Sequence, residues 1–590
     1  VTQQLDHFAP ATRAWFTESF DAPTPAQEGA WSGVAGDDHV LVVAPTGSGK
    51  TLAAFLSAID RLMHSTRDDD APVGTRVLYI SPLKALAVDV ERNLRSPLVG
   101  ITQAAARRGD TYREVTVGVR SGDTTQRDRR LLVTRPPDIL ITTPESLFLM
   151  LTSAARETLR TVDTVIIDEI HAVAGTKRGA HLAVSLERLD ALLEAPARRI
   201  GLSATVRPHH EVARFLAGSA RVQVVAPEAA TRLALEVEVP VDDMTKIPGV
   251  QRDEGSGARS LEDEQPRGSI WPHVEEAVMH RVLKHRSTII FVNSRGVAER
   301  LTARLNEAYA DHLGGEAAAV AGRTPAQLMG GSAQSRPAPT RPGETRGSPD
   351  DGDENVLARA HHGSVSKEQR ALIEDELKSG RLRCVVATSS LELGIDMGAV
   401  DLVIQVSSPP SVASGLQRVG RAGHQVGEIS QGVTYPTSRQ DLLGAAVTTS
   451  RMQQGLIERL DIPANPLDIL AQQTVAATAL ESIDVEEWFD TVRRAAPFAT
   501  LPRSAYDATL DLLSGRYPSD EFAELRPRVV WDRDAGTLTG RPGAQRLAVT
   551  SGGTIPDRGM FGVFLAAGTE ESGSRKVGEL DEEMVYESRI

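Results

Sequence analysis

The octapeptide APTGSGKT, Ala44 to Thr51, follows the apolar run HVLVV and precedes a helical pattern, LAAFLSAIDRL. That setting suits an anion, because backbone N–H groups and a helix N-terminus converge on one spot. Thr46, Gly47, Ser48 and Gly49 form the cradle, Lys50 reaches the β- and γ-phosphates, and Thr51 offers its hydroxyl to Mg²⁺. The usual loop of this kind opens with glycine, where this chain has Ala44. TGSGKT keeps the glycines nearest the phosphates, so a working ATP site is expected. Lysine is scarce: eight lysines leave 57 arginines among the 65 basic residues, so composition does not account for Lys50 directly after Gly49.

TVDTVIIDEIH supplies the carboxylates that γ-phosphate hydrolysis requires. Asp168 can hold the Mg²⁺ shell, and Glu169 can accept a proton from the attacking water. Adjacent acids alone are common on surfaces; behind a β-branched strand, 117 residues past Thr51, they are informative. His171 is read as coupling this site to neighbouring segments. Charge on the leaving phosphates can be met by QRVGRAGH, in which Arg418 and Arg421 are three apart on one helix face and could enter a cleft as arginine fingers. These arginines lie roughly 370 residues from the phosphate loop, so they would complete the site only when two domains close.

The elements that must position these residues recur along the chain. HVLVVAP, RVLYISP, EVTVGV, DILITTP, TVDTVIIDE, RRIGLSAT and VQVVAP alternate with helical patterns over the first 230 residues, which reads as a doubly wound α/β sheet, mostly parallel. A second such set, STIIFVNS, LARAHHGS, LRCVVATSS and VDLVIQVSS, spans about 285–445, and two tandem sheets imply a cleft. Residues 321–355 are too rich in Gly, Pro, Ser and charge to bury a core and read as a flexible insertion. After Ser450, three helical patterns and RPRVVWDRDAGTLTGR, a hairpin with a DAG turn, suggest a winged helix. Val530 and Trp531 there suit packing as well as base stacking. From about Ala544 the chain reads as β-rich, and its unclosed strand pair suggests a piece of something longer. The expected divisions are therefore 1–230, 231–450, 451–543 and 544–590.

A chain of 590 residues exceeds one hydrophobic core, and 41% hydrophobic content suits a globular protein. VTQQLDHFAPATRAWF lacks the basic and apolar regions of a signal peptide, and no apolar run approaches a membrane span, so the cytoplasm is the default location. The single cysteine, Cys384, excludes a disulfide framework and reads as inert core. A net charge of −14 argues against coating nucleic acid by bulk electrostatics but leaves room for a local groove.

Ten stretches together, FDAPTPAQ, APTGSGKT, SPLKAL, TTPESL, DEIH, LSAT, FVNSR, HHGSVSKEQR, ATSSLELGIDMG and QRVGRAGH, resemble in order the motifs of superfamily-two helicases. The form A-x-x-G-x-G-K-T, with Ala44 first, is one such helicases favour. DEIH, SSLELGIDMG, His424 and NPLDILAQQ most resemble the Lhr (large helicase-related) family. That resemblance implies two RecA-like domains, then a winged helix and a β-rich domain. It assigns Gln27 to adenine, Lys50 and Thr51 to phosphates and Mg²⁺, and Asp168 and Glu169 to metal and water. Ser203 and Thr205 would couple hydrolysis to domain movement; Gly394, Asp396, Arg418 and Arg421 would contact nucleotide. Many relatives end the last motif with Arg where this chain has His424, which leaves Arg418 and Arg421 both open as the finger, with Arg421 slightly favoured.

A translocase holds a strand mainly by its backbone, so it needs no strongly basic surface. By the resemblance the strand would meet Pro82, Lys84, Arg120, Ser121 and Thr143 in the first domain. In the second it would meet Asn293, Ser294, Arg295, His362, Gly363, Thr388 and Ser389. TTP and SGD are also plain turn chemistry. The leading expectation is an ATP-dependent, single-strand-stimulated helicase moving 3′ to 5′ on DNA, unwinding DNA or RNA–DNA duplexes, with a family link to DNA repair. Two alternatives stay open: a duplex translocase that never separates strands, since VSSPPSVASG is short for a splitting hairpin, and a nucleic-acid-binding scaffold with a degenerate ATPase. A kinase is disfavoured because the second sheet would then have no role.

Overall fold

The computed structural model describes residues 5–36, 38–45, 47–64, 73–227, 232–247, 268–313, 356–393, 398, 400–423, 429–516, 526–554, 560–564 and 576–581. Thr46, Gly394, Asp396, His424 and the 321–355 insertion lie outside them. Two compact units form. One comprises Val1–Thr143, Thr158–Gly175 and Leu193–Ile462; the other comprises Pro144–Glu157, Thr176–Leu192 and Pro463–Ile590.

The first unit holds two parallel sheets. Seven strands, β1 (His39–Val43), β2 (Val77–Ile80), β3 (Val117–Arg120), β4 (Ile139–Thr142), β5 (Thr164–Ile167), β6 (Arg198–Ser203) and β7 (Val222–Val225), pair in the order β3-β4-β2-β5-β6-β1-β7. The second sheet uses β8 (Arg232–Val237), β9 (Thr288–Phe291), β10 (Ala358–His361), β11 (Cys384–Ala387), β12 (Leu402–Val406) and β13 (Ile429–Tyr435), ordered β10-β11-β9-β12-β13-β8. Central strands are buried along their length, as β2, β4, β5, β9 and β11 are, because helices cover both faces of a parallel sheet. Cys384 is part of that core, where burial pushes its thiol well above the ordinary range.

Two strands of the second sheet, β8 and β13, are additional to the four read from sequence. β8 lies at the sheet edge and alternates half-buried and exposed residues, so it carries no continuous apolar run. β13 includes the exposed Ile429 and the polar Ser430, Gln431 and Thr434, which dilute the same signal.

In the second unit, helices Leu467–Ala477, Val485–Arg494 and Arg503–Ser514 accompany a three-stranded antiparallel sheet, ordered β14 (Ile483–Asp484), β16 (Thr537–Gly540) and β15 (Val529–Asp532). This is a winged helix, with the DAG turn joining β15 to β16. Val530 is exposed, and the Arg533 guanidinium lies over the Trp531 ring at 3.8 Å. The stretch read as β-rich begins with a short helix, Ala544–Thr550, and a strand pair follows, β17 (Met560–Phe564) with β18 (Lys576–Asp581). No described helix is long and apolar enough to cross a membrane.

The second unit also contains two helices from the first 230 residues, Pro144–Leu151 and Lys177–Asp190. Polar bonds explain the grouping. Fully buried Gln473 donates to the His181 carbonyl and Ser185 Oγ, both at 3.0 Å, and accepts from Arg188 at 3.0 Å. Arg188 lies over Phe148, whose ring meets His181 at 4.5 Å. Lys177–Asp468, Arg156–Glu481 and Arg494–Glu187 ion pairs surround this centre.

His181 is 1% exposed, and burial, helped by the Arg188 charge, lowers its pKa to about 4. The folded chain therefore binds a proton less readily than the unfolded chain, whose histidine titrates near 6.5. Stability is complete above that unfolded value and declines as pH falls through the window down to about 4. At pH 5 the loss is about 2 kcal/mol relative to pH 7, from about 1.4 kcal/mol per pH unit. Denaturant unfolding at both pH values should show His181→Gln losing about 2 kcal/mol less than the wild type between them; equal losses would disprove this account of His181.

Candidate nucleotide and nucleic-acid sites

The phosphate loop turns out of β1 into helix Lys50–His64. Ala44 is 3% exposed; its N–H donates to the Ser203 carbonyl at 3.1 Å, extending the β1–β6 ladder. Ala44 is thus the last residue of strand-like pairing, where a side chain is tolerated. Gly49 is different: its φ of +76° and a Cβ position 2.6 Å from Gln27 Nε2 both require glycine. Gln27 belongs to a capping box with Thr24, and Thr24 Oγ1 donates to the Ser48 carbonyl at 2.8 Å. Lys50 donates to the carbonyls of Ala44 at 2.6 Å and Pro45 at 2.9 Å. Burial lowers its pKa, opposed by Glu169 and Asp168, while the Arg421 charge lowers it further.

β5 delivers Asp168 and Glu169 beside this lysine. Both are buried, and Asp168 accepts from the Tyr79 hydroxyl and from the Glu169 N–H. Burial, then the neighbouring Glu169 charge, pushes Asp168 upward from the usual carboxylate range. Glu169 has φ of +43°, a strained left-handed conformation for a residue with a side chain. Its buried Oε2 has no hydrogen-bond partner and lies 3.5 Å from His171 Nδ1. A buried unbonded carboxylate oxygen is costly, so these residues fit a polar ligand. The donor set, the hard Asp168 carboxylate with a threonine hydroxyl at the loop, suits Mg²⁺ shared with phosphates, and leaves Glu169 for a proton.

His171 accepts the Ala204 N–H at 3.2 Å on Nδ1, with Ser203 Oγ at 3.3 Å, so DEIH contacts LSAT directly. Burial lowers its pKa, leaving it neutral near pH 7. Thr205 is exposed. The second sheet faces the same centre: Glu392 acts electrostatically on His171, and Arg421 on Lys50.

The two arginines of QRVGRAGH differ. Arg418, 3% exposed, donates to Glu392 Oε2 at 3.0 Å, Gln405 Oε1 at 2.9 Å and Asn293 Oδ1 at 3.2 Å, with its guanidinium 5.2 Å from the Phe291 ring centre. Those bonds lie within the second sheet and its loops. Arg421, 1% exposed, donates Nε to the Gln417 carbonyl at 3.4 Å and is the one whose field reaches Lys50. Sequence spacing puts both on one helix face, but the helix ends at Val419 with Gly420 as its cap, so Arg418 lies on it and Arg421 just beyond its end. Sequence does not single out Gln405 and Glu392, because their roles exist only through partners distant in the chain, Arg418 for both and His171 for Glu392.

The residues expected to meet a strand lie just beyond strand carboxyl ends. Pro82 and Lys84 follow β2, Arg120 ends β3 with Ser121 just after it, and Thr143 follows β4. Lys84 pairs with Asp123 at 2.8 Å, and burial, then the Arg129 charge, lowers the Arg120 pKa. Arg129 reinforces this loop by donating to the Ser121 and Gly122 carbonyls at 3.3 and 3.0 Å. In the second sheet, Asn293, Ser294 and Arg295 follow β9, His362 and Gly363 follow β10, and Thr388 and Ser389 follow β11. Asn293 donates to the Ser408 carbonyl at 2.8 Å, Ser294 caps helix Arg295–His312, Arg295 donates to Ser364 Oγ at 3.2 Å, and His362 bonds Glu299 at 2.6 Å. His361 ties the last two loops together through Ser390 Oγ at 2.9 Å.

Comparison with known proteins agrees with this architecture. Family models match as DEAD/DEAH box helicase over residues 24–213, helicase conserved C-terminal domain over 351–425, and the winged helix domain of the large helicase-related protein over 450–590. The "Lhr helicase/ probable uracil glycosylase" of Mycolicibacterium smegmatis is 64% identical over 99% of this chain, and the Escherichia coli "Lhr helicase/uracil glycosylase" is 56% identical over 99%. The chain spans 37% of the length of each. A solved structure of the Mycobacterium smegmatis helicase Lhr bound to ssDNA and AMP-PNP superposes with TM-score 0.80 and 62% identity, covering 99% of this chain and 66% of that one. Helicase MrfA bound to DNA and AMPPNP shares the fold, with TM-score 0.62 and 19% identity over 91% of this chain and 62% of that one. The two RecA-like sheets and the loops at their rims are those of a superfamily-two, DEAD/DEAH-type helicase. Within that class, the chain belongs to the bacterial Lhr family.

Removing one partner of a buried ion pair leaves the other charge uncompensated. Arg418→Ala and Glu392→Ala should each destabilise the protein by about 3 kcal/mol, and the double variant by clearly less than their sum. Denaturant unfolding of the four proteins measures the coupling; strict additivity would show that the pair is not an energetic unit.

Proposed function

We propose that this protein is an ATP-hydrolysing motor that tracks along single-stranded DNA, moves 3′ to 5′ and unwinds DNA or RNA–DNA duplexes. The observation that carries the reading is the buried Asp168–Glu169 pair beside Lys50, with one Glu169 oxygen unbonded and Arg421 acting on the same centre from the second sheet. The Lhr relative bound to ssDNA and AMP-PNP supports it.

In this reading Gln27 reads adenine, the N–H groups of the Thr46–Gly49 loop and Lys50 bind the phosphates, and Thr51 and Asp168 would hold Mg²⁺. The metal, when bound, neutralises phosphate charge. Glu169 takes the proton of the attacking water, for which an acceptor oxygen free of hydrogen bonds is suited. Arg421 is the finger, because its charge acts on Lys50 at the phosphate loop; Arg418 ties Glu392, Gln405 and Asn293 together. Gly394 and Asp396 complete the nucleotide contacts. His171 passes the state of Glu169 to Ser203, and with Thr205 couples hydrolysis to movement of the sheets. Pro82, Lys84, Arg120, Ser121 and Thr143, with Asn293, Ser294, Arg295, His362, Gly363, Thr388 and Ser389, carry the strand. Asn293 has a double duty here, since Arg418 holds the side chain assigned to the strand. Cytoplasmic work on DNA, in repair, fits this reading.

Steady-state hydrolysis should rise on adding single-stranded DNA, and Glu169→Gln should cut kcat by about 100-fold or more while strand affinity stays within about twofold. A wild type that the strand does not stimulate would sink the proposal. Duplexes with 3′ tails should be opened and those with 5′ tails left intact. Hydrolysis without displacement of either would leave a translocase that does not separate strands.

A further inference from the structure

Helix Val412–Val419 carries Gln417 and Arg418 and leads directly into Arg421. An α-helix leaves its first N–H groups without internal acceptors. Ser411 Oγ accepts the Ser414 N–H at 3.0 Å, and the first two groups go to a residue distant in sequence: Glu458 Oε1 accepts from Val412 N–H at 2.7 Å, and Oε2 from Ala413 N–H at 3.2 Å. Glu458 lies at the exposed surface, so these two bonds rather than burial fix its carboxylate. Its neighbour Ile457 is buried in one cluster with Val412, Val419 and Met452. Gly415 makes room for that packing, since a Cβ there would lie 2.7 Å from Met452 Sδ.

The next residues reach the first sheet. Arg459 forms a parallel bridge with Arg207, and Leu460 N–H donates to the Arg207 carbonyl at 2.7 Å. Arg207 stands two residues beyond Thr205 of LSAT. Leu460 and Asp461 also close on Gly175, where a Cβ would come 3.7 Å from Leu460 Cγ and 3.4 Å from the Asp461 carbonyl oxygen. Gly175 ends the single turn His171–Ala174 that follows Asp168 and Glu169.

We propose that Glu458 is a positioning residue for the helix that leads into Arg421, and that residues 457–461 act as a strap joining that helix to the DEIH and LSAT loops of the first sheet. The inference rests on the ATPase reading above. Glu458 touches neither nucleotide nor strand in that reading; it acts through the helix. Because the strap binds the helix end by charge-assisted hydrogen bonds and the LSAT loop by backbone pairing, a shift of one loop is passed to Arg421 without crossing the nucleotide site. The carboxylate suits this role: against a partial loss of water that would raise its pKa, the Val412 and Ala413 N–H groups hold Glu458 below its ordinary value.

The test compares strand-stimulated ATP hydrolysis in the wild type, Glu458→Ala, Glu458→Gln and Leu460→Pro, with a melting curve for each. Misplacement of the arginine should lower kcat about tenfold in Glu458→Ala and Leu460→Pro, while KM for ATP stays within about twofold. Glu458→Gln, which keeps one acceptor oxygen, should recover part of the loss, a rescue that general destabilisation would not produce. The strap proposal is overturned if kcat of Glu458→Ala or Leu460→Pro stays within about twofold of wild type, or if kcat falls only in step with melting temperature. A wild type with no hydrolysis defeats the ATPase reading instead, so the two failures are distinguishable.

Discussion

Parallel pairing of strands is the constraint on which the functional arrangement depends. It puts every carboxyl-terminal loop of a sheet along one rim, and the strand order then decides which loops are neighbours. In the first sheet the sequence β3-β4-β2 gathers Arg120, Ser121, Thr143, Pro82 and Lys84 on one half of the rim. The other half, β5-β6-β1, gathers Asp168, Glu169, Ser203 and the phosphate loop. The second sheet is sorted in the same way: β10-β11-β9 brings His362, Thr388 and Asn293 together, and the arginine helix leaves from β12. Two sets of side chains interleaved along the chain become two separate regions in space.

Electrostatics then distinguishes groups of like chemistry. Lys50, Asp168, Glu169 and Arg421 are all buried, and Lys50 feels the charge of each of the other three. Burying charge is unfavourable unless an opposite charge or a ligand compensates. Arg418 has such compensation in Glu392 and two amide oxygens. Glu169 keeps an unbonded oxygen and a left-handed backbone, a local cost characteristic of sites that act on a ligand. The site is therefore marked by what it leaves unsatisfied as well as by residue type.

The compact unit around the winged helix is organised on different terms. Its centre is polar, with Gln473 and Arg188 bonding across helices whose apolar contacts include Phe148, Ala476 and Ala548. Burial of His181 makes that unit sensitive to acid. A bonded amide at such a centre fixes one packing arrangement more narrowly than a smooth apolar surface would, since each misplaced donor would be left unpaired.

By itself the sequence determined the local chemistry: a glycine-rich turn after an apolar strand, acids at the end of another strand, two arginines three residues apart, and the apolar runs that became buried strands. These are legible because short-range periodicity and turn residues encode geometry within a few residues. The order of motifs was enough to indicate the family. The sequence was silent wherever a residue's role depends on a partner far along the chain. Arg418 and Arg421 look equivalent until Arg418 is found bonded to Glu392, Gln405 and Asn293, and Arg421 beyond the helix end with its charge acting on Lys50. Edge strand β8, with its alternating exposure, lacks the signal of a buried strand. The helices Pro144–Leu151 and Lys177–Asp190 carry no mark of their place beside Gln473, and Glu458 reads as an ordinary surface acid until its carboxylate is found on the Val412 and Ala413 N–H groups. Only the tertiary structure decides these, because hydrogen bonds and Coulomb interactions depend on separation in space, which strand order and packing set.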